Sequence, residues 1–316
     1  MLVTSMSEVQ QLVEAYLIPA QLVLAMLGMG ATLTVGDFLD VMRERVSVIV
    51  GLSLQWLFVP ALALAIVYGF ELSAGWAVGF LLIAVVPGGT ASNLFTFLGR
   101  GNTALSVSIT LVTTVGSVLS VPLMLRLLAD SYVPDDFAFP TGRIVTEIVA
   151  YLIAPLALGM WLLRASPVRA EPISKWSIRL SVIFIAMIVV SSLGSGRIEV
   201  PAYGWGPPLM LILFGVVLSQ VTPLLCRAMR RYEDDATAIG IEVCVRNVGL
   251  ALLLVRFFFP GQPEQAQVLY ATLFYGGMSF FLGIPIAIRH RRYGRLSLLY
   301  APLIRAKSPG PGVSSG

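Results

Sequence analysis

Apolar runs of about 20 residues, each long enough to cross a bilayer as helix, recur along most of this 316-residue chain. They fall at roughly 13–34, 46–70, 74–98, 102–129, 143–164, 177–196, 207–226, 235–259 and 265–288. Such a pattern leaves one fold class, an all-α polytopic membrane protein with nine transmembrane helices. Composition agrees: 57% of residues are hydrophobic and 12% are charged, about half the charged share of soluble domains. Mean hydropathy is +0.87. The first residues, MLVTSMSEVQQL, lack a basic region followed by an apolar run and a small-residue cleavage site, so a signal peptide is not expected. Residues 1–306 read as one transmembrane domain, and 307–316, within AKSPGPGVSSG, as a disordered tail.

Lys and Arg orient the spans. With the N-terminus outside, sixteen basic residues, among them Arg43, Arg100, Arg169, Arg230 and the RHRRYGR cluster at 289–295, fall on the inner side. Four, Arg126, Arg143, Arg197 and Arg256, fall outside. That asymmetry predicts N-out, C-in. It also explains the pI near 9.2 without nucleic acid. Nineteen Arg against two Lys suggest a GC-rich bacterial source, hence a cytoplasmic membrane.

Enzyme chemistries find little support. The single histidine, His290, belongs to the inner basic cluster, so no span offers a histidine to a serine. There is no pair of membrane aspartates and no phosphate-cradling GxxxxGK[ST]. Cys226 and Cys244 match no metal spacing and read as packing residues.

The polar residues inside the spans are clustered. The third span contains VVPGGTASN (85–93), where a proline and two glycines cannot continue a regular helix. Thr90, Ser92 and Asn93 bring oxygens to that break. The fourth span carries Ser106 and Thr110 on one face, the second a lone amide, Gln55, before Pro60, and the eighth Glu242, Arg246 and Asn247. Any one of these has an ordinary reading as helix glue or back-bonding. Two interrupted polar spans at corresponding places in the two halves point instead to an inverted-repeat secondary transporter with its site at the midplane. Hydroxyls, amide oxygens, freed carbonyls and one carboxylate suit a small cation such as Na⁺, and half-helix N-termini suit an anionic substrate.

These motifs resemble the bile acid:sodium symporter family. PGGTASN (87–93), RGNTALSVSIT (100–110) and EVxxxN (242–247) carry the likeness, with LGMGATLTVGDF (27–38) and the Gln55-to-Pro60 spacing. The resemblance implies nine helices of the family's ten-helix plan, inverted repeats, and two broken helices crossing near the site. It also implies a panel domain (about 13–34, 143–164 and 177–196) and a core domain (about 46–129 and 207–288). By motif, a first Na⁺ site falls on Ser92, Asn93, Ser106, Thr110 and Glu242. A second falls on Gln55, Glu242 and the carbonyls of Val243 and Val245, plus a glutamine whose position holds Arg246 here. Gly88, Gly89, Thr90, Arg246 and Asn247 are the expected substrate contacts. The implied activity is symport of a small organic anion across the bilayer with Na⁺, one ion being expected, and without an organic cofactor or an obligate protein partner.

Arginine has five donors and no acceptor, so it cannot stand in for a glutamine oxygen as a ligand. Three roles for Arg246 follow: a fixed charge in place of the second ion, an i,i+4 partner that neutralises Glu242, or a bidentate grip on the substrate. A Na⁺-independent or proton-coupled uniporter or exchanger is the alternative mode of transport.

Overall fold

The computed structural model describes residues 13–40, 45–194 and 203–305. Arg43, Arg197, Lys307 and the expected tail lie outside the described residues, as does the end of the expected sixth span. Among the described residues all regular structure is helical, and the only extended pairing is an isolated antiparallel bridge between Gly88 and Arg246. Among the described residues five helices are long and apolar enough to cross a membrane: Arg45–Gly69, Thr103–Tyr132, Thr141–Ala165, Gly206–Ala228 and Pro263–Ile288. The protein is a multi-pass membrane protein.

In chain order the helices are α1 (Ile18–Gly30), α2 (Val35–Asp40), α3 (Arg45–Gly69), α4 (Ala74–Val85), α5 (Thr90–Gly99) and α6 (Thr103–Ala129). There follow α7 (Thr141–Ala165), α8 (Pro167–Gly194), α9 (Gly206–Ala228), α10 (Glu233–Cys244), α11 (Val248–Val255) and α12 (Pro263–Arg305). Three π-turns, Val13–Leu17, Leu54–Phe58 and Val149–Ile153, each end two residues before a proline: Pro19, Pro60 and Pro155. Proline has no N–H for the carbonyl one turn back, and the chain absorbs the loss by widening that turn. Val59 N–H accordingly reaches back to Leu54 O, and Ala154 N–H to Val149 O.

Helix ends depart from the apolar runs in three places. α8 starts at Pro167 rather than near 177, and α12 continues past 288 to Arg305. Arginine is a good helix former, so a helix need not stop where the bilayer does. α11 ends at Val255 instead of 259, with Phe259 (φ 52°) and Gly261 (φ 75°) in left-handed turns beside Pro260. Its next residue, Arg256, pairs with Glu147 on α7.

Packing separates two groups of contacts. α1 lies mainly against α7 and α8, whereas α4 lies against α12, and α10 against α9, α12, α5 and α6. Small residues set the first group: a Cβ on Gly30 would sit 2.1 Å from Leu156 O, and one on Gly159 2.4 Å from Leu27 O. Ser174 Oγ donates to Gly28 O at 2.7 Å. Such close approach is how helices associate where apolar burial cannot drive them together. At the centre of the second group, α4 from Gly75 on and α11 from Gly249 on are buried all round.

Candidate functional site

The two short helix pairs, α4–α5 and α10–α11, cross at their breaks, and both breaks are buried. The first break spans residues 86–89 and the second 245–247. Backbone groups released by each break are taken up by the other: Gly89 N–H donates to Val245 O at 2.8 Å, and Asn247 N–H to Pro87 O at 2.8 Å. Residues 86–89 and 245–247 are buried, so the breaks must pair with each other and hold each other open. Glycine is required twice. A Cβ on Gly88 would lie 2.3 Å from Glu242 Oε2, and one on Gly89 2.8 Å from Arg246 O. Four helix ends therefore meet here, the C-termini of α4 and α10 and the N-termini of α5 and α11.

Glu242 is fully buried in the last turn of α10. Its Oε1 lies 2.5 Å from Ser92 Oγ, 2.6 Å from Ser106 Oγ and 2.8 Å from Thr110 Oγ1. The same hydroxyls also approach Gly89 O (2.6 Å, from Ser92), Ser106 O (3.0 Å, from Thr110) and Asn93 Oδ1 (2.9 and 3.4 Å, from Ser106 and Thr110). Each hydroxyl has a single proton, so the protons are too few for the approaches. Oxygens crowded beyond their supply of protons form a donor set suited to a small hard cation. With a single carboxylate in it, and no cluster of three His, Cys, Asp or Glu among the described residues, the set suits a monovalent ion. The structure thus brings Ser92, Asn93, Ser106, Thr110 and Glu242 together from α5, α6 and α10.

Arg246 is 3% exposed and does not turn back on Glu242. The helix stops at Cys244, so the i,i+4 spacing is no longer helical. The guanidinium runs to the C-terminus of α4, where Nε donates to Ile83 O (3.3 Å), Nη2 to Ala84 O (2.7 Å) and to Val86 O. Nη1 donates to Gln55 Oε1 at 3.2 Å. Carbonyls at a helix C-terminus form the negative end of its dipole, and a cation is favoured there. Glu242 Oε2 and Gln55 Nε2 are left buried without hydrogen-bond partners.

The remaining expected residues lie around the crossing. Gly88 and Gly89 form its buried strand-like link, and half-buried Thr90 opens α5. Asn247 caps α11, its Oδ1 accepting from Leu250 N–H at 3.1 Å. Val245 O is used in the crossing, and Val243 is buried on α10. One residue escaped sequence reasoning. Gln21 on α1 is 4% exposed, faces Gly249 on α11, and has an unpartnered Oε1; the signal was a lone amide in an apolar run.

Fold and crossing together define a membrane transporter built around two interrupted helices. Residues 19–200 match the model of the sodium bile acid symporter family, and the chain belongs to that family. It is 33% identical to the uncharacterized sodium-dependent transporter YocS of Bacillus subtilis (strain 168), over 74% of this chain and 72% of that one. It is 32% identical to the probable chloroplastic sodium/metabolite cotransporter BASS2 of Oryza sativa subsp. japonica, over 74% of this chain and 55% of that one. A sodium-dependent organic anion transporter of Rattus norvegicus is 26% identical over 80% of this chain and 67% of its own length.

Proposed function

We propose that this protein is a secondary symporter that carries an organic anion into the cell with one Na⁺. The ion is held by Ser92, Asn93, Ser106, Thr110 and Glu242. The observation that carries the reading is the crowding of hydroxyl and amide oxygens on Glu242 Oε1, at 2.5, 2.6 and 2.8 Å for the three hydroxyls. A dehydrated Na⁺ among them would satisfy the oxygens that the available protons cannot.

The second ion position, formed by Gln55, Glu242, Val243 and Val245, is served by Arg246 as a resident cation. Its donors reach Gln55 and the end of α4, a natural place for a positive charge. With those donors committed, Arg246 supports the crossing from within. The anion is received nearer Gly88, Gly89, Thr90 and Asn247, at the N-termini of α5 and α11, where the dipoles favour negative charge. In this reading α1, α7 and α8 are the panel and α3–α6 with α9–α12 the core, related by inverted repeats. The chain crosses the cytoplasmic membrane nine times, N-terminus outside and C-terminus inside. Rocking of core against panel exposes the crossing to either side in turn.

Uptake by proteoliposomes in Na⁺ and in choline tests the coupling. Flux that needs Na⁺ on the outside supports the symporter. Equal flux in choline would replace it by the ion-independent or proton-coupled uniporter or exchanger, with Arg246 having taken over both ionic roles.

A further inference from the structure

A cavity of about 940 Å³ opens at the surface between exposed Val46 and Tyr232. Among the described residues its lining comes from the start of α3, the α5–α6 link with Thr103, and the α9–α10 link with the start of α10. None of these belongs to α1, α7 or α8. The mouth is tied by Asp235, which is 7% exposed. Ser47 Oγ donates to its Oδ2 at 2.5 Å and Asn102 Nδ2 to its Oδ1 at 2.8 Å, while Asn102 N–H donates to Asp234 O at 3.1 Å. Arg45 and Arg231 in the lining are matched in number by Asp234 and Asp235. A roomy polar hollow without net formal charge holds water and does not by itself select an ion.

The wall between this hollow and the oxygens around Glu242 is one side chain thick. α5 ends on Arg100 in a left-handed turn (φ 60°), and Gly101 N–H returns to Thr96 O at 2.9 Å. That closure, common at helix C-termini, lays Gly101 of the cavity lining against Thr96. A Cβ on Gly101 would lie 3.1 Å from Thr96 Cγ2 and 3.3 Å from Thr237 Cγ2. The other branch of Thr96 points the opposite way: its Oγ1 donates to Ser106 Oγ at 3.3 Å. Ser106 Oγ in turn lies 2.6 Å from Glu242 Oε1. Thr96 is fully buried. One residue therefore carries a methyl on the cavity wall and a hydroxyl on a proposed ion ligand.

We infer that Na⁺ leaves to the inside through the core, past Thr96 and Gly101 into this cavity, and that Thr96 is the gate of that exit. This rests on the symport and the orientation proposed above. The anion, received at the N-termini of α5 and α11, leaves separately between core and panel. The methyls of Thr96 and Thr237 close the passage by excluding water, as apolar constrictions do in ion pathways. Threonine in a helix has two accessible χ1 rotamers. A turn of Thr96 about χ1 withdraws its methyl and offers the departing ion an oxygen next after Ser106.

A carrier leaks when its site meets both sides of the membrane at once, so a thinned gate has a readout that needs no organic anion. The full-length protein, carrying Thr103→Cys on the cavity lining, is labelled in detergent with a cationic trimethylammonium or an anionic sulfonate methanethiosulfonate. It is then reconstituted into proteoliposomes loaded with radioactive Na⁺ alone. With Thr96 intact, Na⁺ is expected to be retained. Adding Thr96→Ala is expected to release it, whereas Thr96→Val, which keeps both branches of the plug, is expected to retain it. The cationic label should slow the Thr96→Ala leak about tenfold, the effect of a unit charge roughly 12 Å from the ion at an effective dielectric near 20. Slowing by either label places the passage in this cavity. A leak that neither label alters, or full retention by Thr96→Ala, overturns the inference. A Thr96→Val leak equal to that of Thr96→Ala also overturns it, since the hydroxyl and not the plug then holds the ion. Wild type that binds no radioactive Na⁺ at equilibrium in detergent defeats the one-ion reading as well. Normal binding with full retention by Thr96→Ala leaves that reading standing.

Discussion

Arg246→Gln removes the resident charge and returns a neutral oxygen to the pocket. In the wild type the guanidinium donates to Ile83 O, Ala84 O and Val86 O and to Gln55 Oε1. Hydrogen bonds of charged groups contribute about 1.5–3 kcal/mol each, and removing one side of a buried charged arrangement costs about 3–5 kcal/mol. Glutamine cannot reach all four acceptors, so carbonyls at the end of α4 are left without a cation. A Na⁺ ion can fill that place once the arginine is gone. While the guanidinium is present, an ion about 4 Å away is opposed by roughly 4 kcal/mol at an effective dielectric near 20, about three decades in affinity. Arg246→Gln should therefore be less stable than wild type in choline and recover as Na⁺ is added, gaining about 2.7 kcal/mol when Na⁺ reaches 100 times its Kd. Thermal unfolding in nanodiscs across a Na⁺ titration, with equilibrium binding of radioactive Na⁺, reads both effects. Wild type is expected to bind one ion with a hyperbolic Na⁺ dependence of uptake, and Arg246→Gln two with a sigmoidal one. Arg246→Ala should lose stability without Na⁺ rescue. An Arg246→Gln protein that binds one ion, keeps a hyperbolic response and is equally stable in choline and Na⁺ would refute the substitution of charge for ion.

Asn93→Ala and Thr110→Ala should each raise the Na⁺ concentration for half-maximal uptake; a change in maximal flux alone would make the residue a packing group. Gly88→Ala should abolish uptake, because its Cβ would lie 2.3 Å from Glu242 Oε2, whereas Gly142→Ala, with nothing within 4 Å, should leave it intact. Equal activity of the two variants would show that the Gly88 link can move aside. For topology, an impermeant thiol reagent added outside should label Pro134→Cys, and Gly294→Cys only after permeabilisation; Cys226 and Cys244 are buried and should stay silent. Labelling of Gly294→Cys in sealed cells would reverse the orientation.

The membrane class was legible because hydropathy measures transfer into the same solvent that the fold inhabits. Pro87, Gly88 and Gly89 made the first break legible too, through local backbone rules. The second break was far less so. No proline or glycine lies at 245–247, and the helix stops there because Val245 O and Asn247 N–H are claimed by Gly89 and Pro87, residues distant in sequence. For the same reason the i,i+4 spacing of Glu242 and Arg246 misled: it presumes a helix where tertiary hydrogen bonds have undone one. The gathering of Ser106 and Thr110 on one face of α6 followed from periodicity, and the helix was indeed continuous there. Gln21 went unread because a single amide in an apolar span has many ordinary explanations. Only the fold shows its Oε1 buried against Gly249 without a partner.

A charge belonging to the protein and a charge carried by an ion do the same local work at the crossing but different work in a transport cycle. Glu242 and Arg246 sum to zero when both are ionised, and neither leaves with the substrate. One Na⁺ accompanying one monovalent anion moves no net charge, whereas two would move one positive charge per turnover. The membrane potential contributes about 2.3 kcal/mol per charge for each 100 mV, close to a fiftyfold difference in attainable gradient. In the one-ion reading, a cation held permanently at the end of α4 gives up that drive. In return Gln55 Oε1 and the carbonyls at the end of α4 keep a charged donor at every stage of the cycle. Uptake of a monovalent anion should then be indifferent to a valinomycin-imposed K⁺ diffusion potential in wild type, and should quicken with inside-negative potential in Arg246→Gln, where two ions would travel. Wild-type uptake that rises steeply with inside-negative potential would mean that more than one cation crosses with each anion, and Arg246 would be reduced to a tie on the end of α4.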